Sequence, residues 1–198
     1  MSTKSGIIEI TKEGKKPTEW VRFTLRAPLS FANALRRVII SEVPTLAIED
    51  VNILQNNSVV YDEMLALRLG LIPIKADPED YWNKKDFKVA FVLKGDGPGT
   101  VYSRDLQPMD PSIVPAFPDI PIVKMVEGQK VELEAWATVG TGKEHAKWQA
   151  GHAFYKQKAD EEFDFYVESF GNMPARELIK RAAMVLKAKG LAFEKWIG

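Results

Sequence analysis

The residues best suited to chemistry lie in one short stretch, Lys143-Glu144-His145 within GTGKEHAKWQAG, with His152 seven positions further on. An imidazole beside a carboxylate can act as general acid and base. Two histidines make a metal site only with a third ligand, and no convincing third ligand accompanies them. The chain has no cysteine, which excludes disulfides, thiolate zinc sites, cysteine-ligated iron–sulfur clusters and cysteine nucleophiles. The glycine runs GDGPG (95–99) and GTGK (140–143) complete neither GxxxxGK[ST] nor GxGxxG, so they read as turns rather than phosphate cradles. No catalytic, metal or cofactor-binding residue is assigned, and no cofactor is expected. An acid–base enzyme using His145 and Glu144 stands only as an alternative to a surface or interface loop.

A second cluster, Arg36-Arg37, needs an element to present it. Ser30 reads as the N-cap of a helix over 31–42 that stops before Pro44, and this helix puts the two arginines on its less apolar face near Asn33, Ile40 and Ser41. There they can meet a partner that carries carboxylates. Strands are expected on either side, at 6–10 and 20–27 with turn signals at Gly14 and Pro17, and again from Thr45 to Ile53. A short helix over 62–69 follows, with acidic residues in its first turn and Gly70 as its stop. From 74 to 130 seven prolines punctuate a loop-rich lobe whose strands are FKVAFVL (87–93) and TVYSRDL (100–106). Strict alternation at 131–139 and 163–167 marks two more strands, HAFYKQ a third, and Pro174 opens a long last helix.

Both main helices carry wide apolar faces. Phe31, Ala32, Ala34, Leu35, Val38, Ile39 and Val43 cover about half of the first helix at 100° per residue, against the stripe of somewhat over 100° that one core requires. In the last helix Leu178, Ile179, Ala182, Val185 and Leu186 form a stripe that Phe193, Trp196 and Ile197 continue if the helix runs through Gly190. The retained phase favours that continuity, giving a helix of about 36 Å over 174–197. Periodicity alone leaves open whether both helices are wholly internal, with Arg36 and Arg37 a solvated edge.

The whole chain is 198 residues, 45% hydrophobic, with 27 basic and 27 acidic side chains. It can bury a good core, and its zero net charge gives no footprint for a nucleic-acid backbone, so no direct nucleic-acid contact is expected. The N-terminal MSTKSGIIEITKEGKK lacks an apolar signal-peptide core, and no run of about 18 apolar residues offers a membrane span. A cytoplasmic location fits best, with no membrane partner.

FANALRRVIISEVPTLAIEDV and NNSVVYDEMLALRLGLIPI, together with PDIPIVKM, GKEHAKWQ and VESFGNMPARELI, closely resemble the archaeal, D-type branch of the RNA polymerase alpha and third-largest-subunit family. The five segments follow in order over nearly the whole chain. The resemblance implies an α+β fold: a discontinuous dimerisation domain at 1–50 and 160–198, with an antiparallel sheet and two packed helices, interrupted by a mixed, mainly β inserted domain at 51–159. It implies a non-catalytic assembly subunit of a cellular DNA-dependent RNA polymerase, nucleotidyl transfer taking place on the largest subunits. Its partners would be the small alpha-like subunit L in a heterodimer, the second-largest catalytic subunit, and the small zinc-bearing subunits N and P. A homodimeric scaffold like bacterial alpha is the alternative from the same family.

Position by position, the resemblance puts Phe31, Leu35, Val38, Ile39, Leu178, Ala182, Leu186 and Phe193 in the dimer interface and its core. It gives Arg36 and Arg37 to a large-subunit contact, where the guanidinium fork suits carboxylate or carbonyl groups. Lys143, Glu144, His145, Lys147 and Trp148 become a loop facing other subunits. Many members hold iron–sulfur clusters in a further cysteine-rich domain; here QKADEEFDF passes directly through that position without a cysteine, which implies the cluster-free short form.

Overall fold

The computed structural model describes residues 8–15, 18–82, 84 and 86–198. The expected turn at Pro17 and residues 6–7 of the first expected strand lie outside the described residues. In chain order the elements are β1 (Ile8–Gly14), β2 (Trp20–Arg26), α1 (Leu29–Ser41), β3 (Thr45–Asn56), α2 (Asp62–Gly70), β4 (Ile74–Lys75), α3 (Pro78–Tyr81) and β5 (Lys88–Asp96). There follow β6 (Gly99–Tyr102), β7 (Gln107–Pro108), β8 (Val114–Pro115), β9 (Pro121–Met125), β10 (Lys130–Gly140), β11 (Gly151–Ala159), β12 (Glu162–Ser169) and α4 (Ala175–Ile197). Short 3-10 turns occur at Ser103–Asp105 and Ala146–Trp148. The class is α+β, as the sequence indicated.

The chain divides into two compact units. One runs from the start of the chain to Val43, with Thr141–Lys143 and Gln149–Gly198. Its sheet is antiparallel in the order β1-β2-β12-β11. Alternation in β2 and β12 turns Val21, Phe23, Leu25, Phe163, Phe165 and Val167 to one face, all buried. Register pairs Phe23 with Phe165, and their rings stack at 5.2 Å. On this apolar face α4 packs over β12 and β2, and α1 packs over β11 and against α4. Gly151 in β11 permits the close fit, since a side chain there would collide with the Glu168 carbonyl and with Leu178.

The other unit comprises Pro44–Gly140 and Glu144–Trp148. Its main sheet has the order β3-β10-β5-β7, with the two-stranded ribbons β4-β8 and β6-β9 beside it. Leu46, Ile48, Phe91, Leu93, Leu133 and Ala135 form its core with Leu65, Leu69 and Ile72 from the α2 segment. The Trp148 indole closes one end: its ring lies on Gly140 and its Nε1 donates to the Thr138 carbonyl at 3.0 Å. Thr45, fully buried, donates its hydroxyl to the Trp148 carbonyl at 2.8 Å.

Three expectations need correction. The unit boundaries differ from 1–50, 51–159 and 160–198, because strand pairing rather than local pattern decides them. β3 pairs with β10 along its length, from Thr45 opposite Gly140 to Asn56 opposite Val131, so the chain leaves the first unit after Val43. Likewise β11 pairs throughout with β12, which returns 151–159 to the first unit. Ser30 is not the N-cap of α1; Pro28 occupies that position and its carbonyl accepts from the Phe31 and Ala32 amides. Similarly, Pro174 caps α4 from outside rather than opening it.

Each unit has a pivotal contact to test. Phe165→Ala should lower stability by about 3–5 kcal/mol in urea unfolding, the usual cost of emptying a fully buried aromatic site. Gly140→Ala should cost about 1–3 kcal/mol, because its methyl group would displace the Trp148 ring. A loss below about 0.5 kcal/mol for either would mean that the site relaxes freely.

Candidate functional site

The first unit leaves part of its helix surface unburied, and the reason lies in how α1 and α4 are built. In α1, Ala32, Leu35, Val38 and Ile39 recur at helical spacing and are all buried against the chain's own sheet and α4. Phe31 shares that stripe's face, yet near the helix start it is 45% exposed; Leu29, in the first turn, is also exposed. The helix ends at Glu42, whose amide donates to the Val38 carbonyl, just before Pro44. Arg36 is half-buried, with a guanidinium nitrogen 2.9 Å from the Asn33 side-chain oxygen; Arg37 is exposed. Ser41 donates its hydroxyl to the Arg37 carbonyl at 2.8 Å. Neither guanidinium forms an ion pair among the described residues, so both keep donors for another molecule.

Helix α4 is continuous through Gly190 for 23 residues. Its first turns bury Ala175, Leu178, Arg181 and Ala182. Arg181 is an unexpected member of this set: its Nε donates to the Glu177 carboxylate at 2.6 Å, one turn back, so the buried cation is partnered. Beyond Ala182 the burial fades. Val185 and Leu186 are half-buried, while Met184, Leu191, Phe193, Trp196 and Ile197 are exposed, Phe193 by 62% and Trp196 by 82%. The Phe193 and Trp196 rings lie near-parallel, 6.4 Å apart, in open solvent. Lys189 ties this tail to the end of α1 through the Glu42 carboxylate at 2.6 Å. At the other end, Arg176 donates to Glu13 of β1 at 2.8 Å, a contact that holds the Glu13 carboxyl below its ordinary range.

Of the expected interface residues, Leu35, Val38, Ile39, Leu178 and Ala182 are therefore consumed by this chain's own core. Phe31, Leu186 and Phe193 are the ones with surface to offer. Leu29, Met184 and Leu191 belong with them and were missed. Met184 and Leu191, seven residues apart, share the face of α4 opposite the main stripe, so the stripe gave no signal for them. For Arg181 the signal was an acid four residues earlier on the same helix.

The loop residues divide. Lys143, in the first unit, is exposed, and its amide donates to the Ser41 carbonyl at 2.8 Å. In the second unit, Glu144 and His145 are exposed. Lys147 and Trp148 instead serve their own unit: the Lys147 ammonium pairs with Glu49, donates to the Ile48 carbonyl at 3.1 Å and sits 4.5 Å from the Trp148 ring centre. His145 accepts the Lys147 amide on Nδ1, and His152 lies edge-on to Phe170 in the first unit. Among the described residues no group of three or more His, Cys, Asp or Glu side chains could hold a metal. No described helix is long and apolar enough to cross a membrane.

Residues 25–189 match the family model of the RNA polymerase Rpb3/Rpb11 dimerisation domain. The chain is 50% identical over 171 residues to the DNA-directed RNA polymerase subunit Rpo3 of Methanocaldococcus jannaschii, covering 86% of each protein. It is 46% identical over 165 residues to Rpo3 of Methanosarcina mazei, covering 77% of this chain and 60% of that one. For Rpo3 of Pyrococcus horikoshii the identity is 44% over 147 residues, covering 72% of this chain and 57% of the relative. The alignments thus span most of the first relative and less than two thirds of the other two. With α1 wholly and α4 as far as Lys189 inside the matched region, this chain belongs to the archaeal Rpo3 branch of the RNA polymerase Rpb3/Rpb11 dimerisation-domain family.

Proposed function

We propose that this chain is a non-catalytic assembly subunit of the archaeal DNA-dependent RNA polymerase. It pairs with the small alpha-like subunit L and then presents a platform to the large subunits, in the cytoplasm. The observation that carries this reading is the apolar overhang of α4, exposed from Met184 to Ile197, within a chain matched to a dimerisation domain. An exposed run of large apolar side chains of this kind marks an interaction surface.

The pairing surface consists of Phe31, Leu186 and Phe193, extended by Leu29, Trp196 and Ile197, with Leu35, Val38, Ile39, Leu178 and Ala182 as the rigid layer beneath. Arg36 and Arg37 reach the second-largest subunit, where two guanidinium groups with unfilled donors suit carboxylates or backbone carbonyls. Lys143, Glu144 and His145 remain available to other subunits, among them the small zinc-bearing N and P. Lys147 and Trp148 hold that loop in shape rather than contact a partner. The first unit corresponds to the dimerisation domain and the second to the inserted domain.

Co-expression with subunit L followed by light scattering tests the pairing directly: a one-to-one complex is expected. A stable monomer indifferent to subunit L would sink the assembly reading, and a self-associated dimer would favour the homodimeric scaffold. Phe193→Asp leaves the chain's own core untouched and should abolish co-purification with subunit L, since the new charge would be buried without a partner at a cost of about 3–5 kcal/mol. Pairing at wild-type strength would move the interface elsewhere. Arg36→Ala with Arg37→Ala should preserve the pair but weaken recruitment of the second-largest subunit in a pull-down. Undiminished recruitment would remove these arginines from that contact.

A further inference from the structure

Gly190 sits in the interior of α4, where glycine is among the poorest helix formers. None of the usual reasons for keeping a glycine applies to it within this chain. Its φ is not positive. It does not end the helix, which continues to Ile197. Beyond the helix's own backbone, a Cβ built on it would meet nothing within 4 Å among the described residues. Elsewhere in the same unit Gly151 is explained by a close approach to the Glu168 carbonyl and Leu178. For Gly190 no such approach occurs among the described residues.

Its neighbours on the helix surface define its setting. At 100° per residue, Leu186, Gly190, Phe193 and Ile197 fall within an arc of about 60°, at spacings of four, three and four. This row puts one position without a side chain among three large apolar ones, two of which, Phe193 and Ile197, are more than 60% exposed. It forms a notch about one side chain deep. Lys187 and Glu194, three positions before and four after the glycine, flank it on its other side, so the notch lies at the edge of the apolar row. The dimerisation-domain match ends at residue 189, one position before the glycine, while the helix runs on unbroken, so the row continues the matched surface.

We infer that Gly190 is the crossing point of the subunit pair, a notch into which a helix of the smaller alpha-like partner seats a large apolar side chain. The inference rests on the pairing proposed above and adds the point at which the two helices come closest. Small residues permit short interaxial distances, because separation is set by the side chains at the contact.

The test uses the full chain with subunit L and reads two quantities of opposite sign. Gly190→Ala should raise the Tm and helical circular dichroism of the chain alone, because alanine favours helix and has open space there. The same variant should weaken pairing, and Gly190→Leu should weaken it by roughly tenfold or more in Kd through overpacking. Ala188→Leu adds bulk to the far side of the tail, about 160° round the helix from Gly190, and should leave Kd within about twofold of wild type. If the wild type pairs and Gly190→Leu pairs as tightly, the notch is overturned while the pairing stands. If Ala188→Leu weakens pairing as much as Gly190→Leu does, the notch is again overturned, because added bulk anywhere on the tail would explain both. If the wild type does not pair with subunit L, or dimerises with itself through this row, the proposed partner is wrong and the inference falls with it.

Discussion

Helix α4 carries more apolar surface than its own sheet can cover, and the rest of the first unit is arranged around that excess. The strands beneath it have seven to nine residues, about 23–31 Å of extended chain, and four of them span less than 20 Å across. A helix of 23 residues runs about 34 Å. Only its first turns, through Ala182, find the sheet and α1. Burial is partial at Val185 and Leu186, and from Leu191 onward the same apolar phase continues exposed. The proposed pairing would draw on this geometry, a rigid base within the chain and an exposed apolar continuation beyond it.

The base is specified more tightly than the overhang. Arg181 and Glu177 form an ion pair whose cation is buried, so removing Glu177 would take a close carboxylate from a desolvated charge. Phe23 and Phe165 stack across the central strands, and Gly151 lets α4 settle onto the sheet. The overhang has one described tie, between Lys189 and Glu42, and an exposed pair of this kind contributes little. Its direction is thus inherited from the helix's buried half. The second unit shows similar economy, with Lys147 and Trp148 committed to closing their own sheet and the neighbouring Glu144 and His145 left on the surface.

Much of this was legible in the sequence, because alternation and helical phase are local. The strand patterns at 20–27, 131–139 and 163–167 correspond to β2, β10 and β12, and the unbroken phase from Leu178 to Ile197 foretold a helix that passes through Gly190. The family resemblance, carried by motifs such as NALRR and DEMLALRLGLIPI, agrees with the family match over 25–189. Local pattern failed where a competing local group intervened. Ser30 looked like a cap, yet the Pro28 carbonyl already receives the first two amides.

What the sequence determined by itself is the set of elements, their apolar faces and the membership of the family, since these depend on residue types at short spacing. Tertiary structure alone decided which apolar residues remain available. Leu35 and Phe31 lie on one apolar face of one helix, but only the first is buried; Leu178 and Phe193 lie on one stripe of another, and again only the first is buried. It also assigned β3 and β11 to their units, through pairing partners about 80 positions away for β3 and beyond a turn for β11. The physical reason is common to both: burial and strand pairing depend on what lies across space, and a period along the chain carries no record of where its covering surface ends.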